Sequence, residues 1–309
     1  MKKQKKNCLF FDIETTGLAA DIPAIVVIGC RTSEGDCIQW FNEDGFSQKE
    51  ILKDFLNYCT DWDQLVSFNG ATFDLPFLQT KIKEYGLSDS LSEKEHLDLY
   101  KELRPYRHLF PLSRFRQKDL ETFLGIHRKD TLSGRKVIKA YQSWIASGDT
   151  SWKEQVLLHN KEDLDGLVAV SDLLCYPALE SGEFSIQKAL ISRSSFQAEL
   201  LLNQPFPKAA RFEKDGLSLE INEELAILEE PLQEGMLRHY YPNPKDYYYL
   251  PKEDIIIPKS MKSFVDASSR IPASPSNCYS KFKPEHDFFE DSASMQTFLV
   301  HNIHYLLKK

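Results

Sequence analysis

The chain has 309 residues, of which 42% are hydrophobic and 27% charged, and its formal net charge is −8. This composition is typical of a globular protein with one large domain or two of medium size. The negative net charge argues against a protein that binds polyanions over its whole surface, but it is compatible with local basic patches.

Six cysteines are scattered along the chain, and none of them forms a Cys-x-x-Cys pair or a zinc-ligand spacing. Free thiols in a reducing compartment are the expected state, so we predict a cytoplasmic protein. The apolar run after the basic amino terminus is interrupted by Asp12 and Glu14 and is too short for a signal-peptide core. No stretch approaches the ~20 apolar residues that a membrane span needs, so no membrane partner is expected.

The amino-terminal part predicts a sheet with helices between its later strands. Residues 7–12, 24–30 and 37–41 are apolar or β-prone runs divided by turn residues, which predicts an antiparallel meander of three strands. This order of elements predicts an α/β fold with a mixed five-stranded sheet flanked by helices. The later elements are a helix from Ser47, a strand over 64–68, a helix over about 75–85 and a strand over 96–100.

The second half changes character along its length. Helices are predicted over about 117–124, 134–147 and 151–174, whereas residues 185–260 favour short strands divided by proline-rich turns. A final helix is predicted from about Ser294 to Leu307. We therefore expect two domains, one over 1–178 and a smaller, mainly-β or α+β accessory domain over 184–309, to which no motif assigns a role.

The run Leu-Phe-Phe-Asp-Ile-Glu-Thr-Thr-Gly-Leu, from Leu9 to Leu18, places two carboxylates at the end of an apolar strand. Side chains alternate on a strand, so Asp12 and Glu14 point to the same side of the sheet. Like charges this close repel each other, and a divalent cation is the natural partner because hard metals bind carboxylate oxygens. The alternative is that the pair only solvates a strand edge, since short motifs have false-positive matches.

Two further elements carry acidic residues. In Ser-Phe-Asn-Gly-Ala-Thr-Phe-Asp-Leu-Pro-Phe-Leu, Asp74 lies where a strand-to-helix connection becomes a helix, and helix capping and metal ligation are equally open roles. On the long helix, His159, Asn160 and Asp163 share one face because they are three or four residues apart. The alternative for that face is a solvated polar stripe. Asp98 is a secondary candidate, for which the role of a cap or turn partner is favoured.

Together and in this order, the three elements resemble the DEDD superfamily of 3′–5′ exonucleases, which has the ribonuclease H-like fold. Within it, the chain is most similar to the YprB-type ribonuclease H-like proteins, over about residues 7–175. The resemblance implies a two-metal-dependent hydrolase that cleaves phosphodiester bonds at the 3′ end of single-stranded DNA or RNA. It implies that two Mg²⁺ or Mn²⁺ ions are held by Asp12, Glu14, Asp74 and Asp163.

The resemblance also implies where the terminal nucleotide is bound. Asn69 and the backbone around Thr15 and Thr16 are similar to the family's nucleotide contacts, and Leu18 is similar to its apolar wedge beside the base. Asn160, on the predicted ligand face of the long helix, is a further candidate for substrate binding.

The general base is where the chain departs from the family pattern. One branch has a histidine with four intervening residues before the last aspartate, and the other has a tyrosine with three. His159 has three intervening residues before Asp163, so it is a histidine at the tyrosine spacing. Histidines titrate near neutrality, which suits a base that accepts a proton from water, but a helix-face residue without a catalytic role is equally open.

Residues 101–140 hold eleven basic and four acidic residues, in a chain that is acidic as a whole. Tyr106, His108, Phe110 and Phe115 are interleaved with them. Basic groups along a backbone and aromatic faces for stacking suit single-stranded nucleic acid. A solvated helix face with buried aromatic residues is the alternative.

A metal-dependent 3′–5′ exonuclease is therefore the leading hypothesis. The second hypothesis, motivated by the spacing of His159, is a catalytically inactive protein that binds single-stranded nucleic acid with an exonuclease-like fold. A phosphoesterase that acts on nucleotides is less favoured, because the basic segment suggests a longer polymer.

Overall fold

The computed structural model describes residues 7–17, 23–35 and 37–309. The chain divides into two compact units, Met1–Ser171 and Asp172–Lys309. Residues 178–184, where the sequence predicts a domain boundary, lie inside the second unit. Among the described residues, no helix is both long enough and apolar enough to cross a membrane.

The first unit is an α/β domain. A 3-10 helix at Arg104–Leu109 follows its third α-helix. Its strands and helices, in chain order, are β1 (Cys8–Thr15), β2 (Ile25–Arg31), β3 (Cys37–Phe41), α1 (Gln48–Cys59), β4 (Gln64–Ser67), α2 (Asp74–Tyr85), β5 (Glu95–Asp98), α3 (Leu99–Leu103), α4 (Gln117–Leu124), α5 (Gly134–Ser147) and α6 (Thr150–Ser171).

The five strands form one mixed sheet in the order β3-β2-β1-β4-β5. The first three strands pair antiparallel, whereas β4 runs parallel to both β1 and β5. The predicted five-stranded sheet is therefore confirmed. The fifth strand is shorter than predicted, because the Asp98 carboxylate accepts a hydrogen bond from the Tyr100 backbone N–H (3.1 Å) and α3 begins at Leu99.

Each face of the sheet is covered by its own pair of helices. Leu9, Phe11 and Ile13 of β1 belong to a buried core that includes residues of α1 and α2. The opposite face of the sheet packs on α5 and α6, where Val27 and Val156 share a second buried core. Because side chains alternate on β1, Asp12 and Glu14 lie on this second face, next to α6.

The second unit is the strand-rich region that the sequence predicts. Four 3-10 helices lie between its later strands, at Pro244–Asp246, Lys259–Phe264, Ala267–Ser269 and Pro275–Asn277. Its α-helices and strands are α7 (Cys175–Glu180), β6 (Phe184–Ile191), β7 (Ser195–Leu202), β8 (Ala210–Lys214), β9 (Leu217–Asn222), β10 (Leu225–Pro231), β11 (Leu237–Tyr240), β12 (Tyr247–Leu250), β13 (Ile255–Pro258), β14 (Ile271–Pro272), β15 (Tyr279–Phe282), α8 (His286–Glu290) and α9 (Ser292–Leu307).

An antiparallel sheet in the order β6-β7-β10-β9-β8 forms the centre of this unit. Burial alternates along β7 and β10, so one face of the sheet is inside. Glu230 lies on that face, and its carboxylate accepts hydrogen bonds from the Arg238 backbone N–H (2.8 Å) and from Nδ2 of Asn302 (2.8 Å). Since Asn302 belongs to α9, this buried network joins α9 to the sheet and to β11.

His239 of β11 and His301 of α9 form a hydrogen-bonded pair, with Nε2 of the first 2.8 Å from Nδ1 of the second. Burial, and then the neighbouring His301, lower the pKa of His239 to about 4. A histidine in an unfolded chain titrates near about 6.5, so the unfolded state binds more protons between these two pH values. The contribution of His239 to stability is therefore complete above about pH 6.5 and is lost as the pH falls to about 4.

We expect this titration to lower the free energy of unfolding by about 2 kcal/mol over that pH range, with allowance for the partial exposure of the ring. His239→Phe removes the titrating group and keeps an aromatic ring against Tyr241 and Phe298. The measurement is urea unfolding of both proteins at pH 7 and pH 4.5. The stability advantage of the wild type over the variant should shrink on acidification, and an advantage that is equal at both pH values contradicts the prediction.

Candidate metal centre

The carboxyl ends of β1 and β4 lie at the same edge of the sheet, because the two strands are parallel. Asp12 and Glu14 lie towards the end of β1, and Asp74 is the first residue of α2, which follows β4. Asp163 belongs to α6, which packs on the same face of the sheet as Asp12 and Glu14. Three separate elements therefore bring the four predicted acidic residues to one place.

The nearest contacts in this cluster involve His159. Its Nε2 lies 3.4 Å from Oε1 of Glu14 and 3.2 Å from Oδ2 of Asp163. Glu14, His159 and Asp163 each offer one ligand atom, and these atoms lie within 4.8 Å of one another. This is a donor set of two carboxylates and one imidazole, which suits a divalent cation.

The carboxylates of the cluster destabilise one another's charges. The pKa of Asp12 lies well above its ordinary value because of burial, and then because of Asp163, Glu14 and Asp74. Burial, followed by Asp163 and Asp74, raises the pKa of Glu14 to about 8. Burial is also the main cause that raises the pKa of Asp74 to about 7. An added positive charge would relieve this repulsion, so the residues present fit a cation.

Asn160 holds Asp12 in place. It is fully buried, and its Nδ2 donates to Oδ2 of Asp12 (2.8 Å) while its Oδ1 accepts from Nε2 of Gln39 (2.8 Å). The side-chain amide of Asn160 packs against Gly29 of β2, the residue that pairs with Asp12 in the sheet. A Cβ on Gly29 would overlap with Oδ1 of Asn160 and would lie 2.8 Å from Cδ1 of Leu164. Only glycine lets α6 approach the strand this closely.

Asp98 shapes the loop that leads to Asp74. Its carboxylate accepts hydrogen bonds from the backbone N–H groups of Asn69 (2.8 Å) and Ala71 (3.2 Å). Asn69 has a φ of 66°, in the left-handed region that asparagine tolerates better than most residues. Asp98 is thus a turn partner and helix cap, the role that the sequence favours for it.

Asp130 fixes the ring of His159. Oδ2 of Asp130 lies 2.6 Å from Nδ1 of His159 and 3.3 Å from Nζ of Lys118. Its Oδ1 accepts from the Leu132 backbone N–H (2.8 Å). Burial raises the pKa of Asp130, but the hydrogen bond from Leu132 and the two neighbouring basic side chains outweigh it and hold that pKa below its ordinary value.

Arg128 pairs with the remaining oxygen of Asp163. Its Nη1 binds Oδ1 of Asp163, and its Nε (2.6 Å) and Nη2 (2.5 Å) bind the two carboxylate oxygens of Glu121. Burial lowers the pKa of Arg128, but Glu121 and Asp163 outweigh it and hold that pKa above its ordinary value. One oxygen of Asp163 is therefore fixed by Arg128, while the other faces His159.

Sequence reasoning missed these supporting residues. Gln39, Glu121 and Asp130 carry no motif, and Arg128 is one of many basic residues in its segment. Glu162 carries no motif either. Its carboxylate accepts from the backbone N–H groups of Lys129 and Asp130 (3.1 and 2.8 Å), and so holds the segment that carries Asp130.

The predicted nucleotide contacts are distributed around the turn after β1 and the loop after β4. Thr15 donates from Oγ1 to the carbonyl of Gly17 (2.5 Å), and Oγ1 of Thr16 accepts from the Ala24 backbone N–H (2.8 Å). Asn69 is partly exposed beside Asp98. Leu18 lies outside the described residues.

The aromatic residues of the basic segment do not form a stacking surface. Tyr106, Phe110 and Phe115 are 4–7% exposed and belong to the core, whereas His108 is exposed. Several basic side chains of the segment nevertheless face solvent. These are Lys101, Arg104, Arg107, Arg114, Arg116, Lys129, Arg135, Lys136 and Lys139.

A model of the RNase_H superfamily matches residues 9–175, which is more than half of the chain. The chain belongs to the RNase_H superfamily. Membership of this superfamily confirms the predicted ribonuclease H-like fold of the first unit.

Solved structures with a fold similar to that of this superfamily member include the family B DNA polymerase from the hyperthermophilic archaeon Pyrobaculum calidifontis. The TM-score is 0.50, with 14% sequence identity over 98% of this chain. This chain spans 46% of the length of the polymerase. At such identity the likeness concerns the fold alone. No curated protein sequence matches the chain.

Proposed function

We propose that this protein is a two-metal-dependent 3′–5′ exonuclease that hydrolyses phosphodiester bonds at the 3′ end of single-stranded nucleic acid. The observation that carries the proposal is the meeting of Asp12, Glu14, Asp74 and Asp163 at one edge of the sheet. The first three have raised pKa values, mainly through burial, and the carboxylates add to this by repelling one another. Such a cluster is stable in its ionised form only with cations, for which Mg²⁺ or Mn²⁺ is the candidate.

The side chains have distinct roles in this proposal. Asp12, Glu14, Asp74 and Asp163 would hold the cations, and Asn160 would position Asp12, because it is fully buried and donates to that carboxylate. When bound, such ions make water a stronger nucleophile and neutralise the departing 3′ oxygen.

Thr15, Thr16, Leu18 and Asn69 are proposed as contacts to the terminal nucleotide. The exposed basic side chains between Lys101 and Lys139 would then contact the phosphates of the rest of the strand. The order and spacing of the acidic motifs, which resemble the DEDD exonucleases and their YprB-type members, support the direction of hydrolysis.

The test is a gel assay with 5′-labelled single-stranded DNA and RNA, in the presence of Mg²⁺ or Mn²⁺. We expect a ladder that shortens from the 3′ end, and we expect EDTA or the Asp12→Ala/Glu14→Ala double variant to abolish it. The same assay identifies the preferred nucleic acid.

An absence of products, with salt-dependent binding of the strand intact, would favour the binding protein instead. Internal cleavage products would contradict the exonuclease and leave the metal-dependent nuclease in place.

A further inference from the structure

We propose that His159 is a nitrogen ligand of the metal centre, held in place by Asp130, and that the site consequently favours transition-metal ions such as Mn²⁺ over Mg²⁺. This inference rests on the proposed function for the existence of a metal at this place. It changes the set of ligands from carboxylates alone to carboxylates with one imidazole.

The hydrogen bonds around Asp130 decide which nitrogen of His159 carries the proton. The Asp130 side chain is 2% exposed, and the Leu132 backbone N–H, Nζ of Lys118 and Nδ1 of His159 surround its two oxygens at 2.8, 3.3 and 2.6 Å. A carboxylate in such surroundings accepts hydrogen bonds, so Nδ1 is the donor. The lone pair of a neutral His159 is then on Nε2, which is the atom that faces the site.

The position of Nε2 matches that of a ligand atom. It lies 3.4 Å from Oε1 of Glu14 and 3.2 Å from Oδ2 of Asp163, inside the group of atoms that could surround one ion. The imidazole is 5% exposed, so it cannot turn outwards without losing its packing. A ligating histidine whose other nitrogen donates to a carboxylate is a common arrangement in metal sites.

A general base needs a different position. It has to contact the proton of the attacking water, and so it stands outside the ligand atoms, with the water between it and the ions. Nε2 of His159 instead contacts two carboxylates of the cluster directly. Ligation of the metal thus explains why this chain has a histidine at the helix position where the resembling branch has a tyrosine.

The ligand set has a consequence for the choice of metal. Magnesium prefers oxygen ligands and retains its waters, whereas affinity for nitrogen donors rises along the first transition series from Mn²⁺. We expect the full-length wild-type protein to bind Mn²⁺ at least about tenfold more tightly than Mg²⁺. The ratio should fall in His159→Gln, because glutamine supplies an amide oxygen in place of Nε2.

The experiment is electron spin echo spectroscopy of the full chain loaded with Mn²⁺ alone. A directly bound imidazole gives ¹⁴N modulation of the echo, and growth on ¹⁵N-histidine replaces it with a ¹⁵N signal. We expect this signature in the wild type and in His108→Gln, a matched control in which an exposed histidine is changed. We expect it to be absent in His159→Gln.

Asp130→Asn is the second variant and tests the positioning role. It keeps His159, so the ¹⁴N signature should persist while the affinity for Mn²⁺ falls by about 10- to 100-fold. This variant keeps the proposal falsifiable if His159→Gln does not fold.

Three outcomes overturn the inference in distinguishable ways. Bound Mn²⁺ without ¹⁴N modulation in the wild type rules out nitrogen ligation but leaves the carboxylate site and the proposed exonuclease intact. Modulation that persists in His159→Gln assigns the nitrogen to another residue. A protein that binds no Mn²⁺ contradicts both proposals. The ¹⁴N signature in a protein that hydrolyses no nucleic acid would support the ligand and end the proposed function.

Discussion

Asp12→Asn should make the metal-free protein more stable while it abolishes hydrolysis. Asparagine keeps an oxygen that can accept the hydrogen bond from Asn160, but it carries no charge. The pKa of Asp12 is raised by burial and then by three other carboxylates, so its ionised form opposes folding at neutral pH and its removal is favourable. We expect the free energy of unfolding in EDTA at pH 8 to rise by about 1 kcal/mol, the scale of a single stabilising substitution.

The same variant should lose at least about a thousandfold in the rate of strand hydrolysis, equal to about 4 kcal/mol of transition-state stabilisation. Asp54→Asn is the matched control, because it removes the same charge from an exposed position on α1. It should change neither quantity. A metal-free Asp12→Asn protein that is less stable than the wild type would show that the carboxylate is favourably paired in the folded state.

Arg128→Gln should have the largest destabilising effect among substitutions of basic residues in the first unit. The side chains of Arg128 and Glu121 are 9% and 2% exposed, so the variant leaves a buried carboxylate without its partner. Breaking a buried pair in this way costs about 3–5 kcal/mol. Urea unfolding of the first unit should show this loss, whereas Arg114→Gln, at an exposed position, should change stability by less than about 0.5 kcal/mol.

A double variant separates the charge from the packing. Adding Glu121→Gln to Arg128→Gln removes the unpaired buried charge, so part of the lost stability should return. The contrary result is additivity, in which the double variant loses as much stability as the two single variants together. The two residues would then act independently, and loss of the ion pair would not be the cause of the instability of Arg128→Gln.

Most of the first unit could be predicted because its signals are local. The helices over 117–124 and 134–147 coincide with their periodic patterns, and the glycine that ends α4 has a positive φ. The fifth strand was predicted too long, since alternation alone does not reveal that Asp98 caps a helix. A side-chain hydrogen bond determines that boundary.

The site was predictable to the extent that single elements position its residues. The two-residue spacing of Asp12 and Glu14 fixes their common face. The pairs of Asp130 with His159 and of Arg128 with Asp163 join α6 to the segment after α4, and no periodicity connects residues 29 and 35 positions apart. The stacking role predicted for Tyr106, Phe110 and Phe115 was wrong for a related reason, because burial depends on the tertiary packing of the segment.

Gly29 has no side chain, and this allows the close distance between β2 and α6 that positions the side chains of the site. His159, Asn160 and Asp163 lie within little more than one turn of α6, so a displacement of that helix moves all three together relative to β1. Metal–ligand distances are defined to within about 0.2 Å, which is less than the shift that one added methyl group would impose against Asn160. A position with no functional group thus controls the separation of the proposed ligands. Under the proposed function, a single alanine there would turn a nuclease into an inactive protein that keeps every acidic residue of the motif.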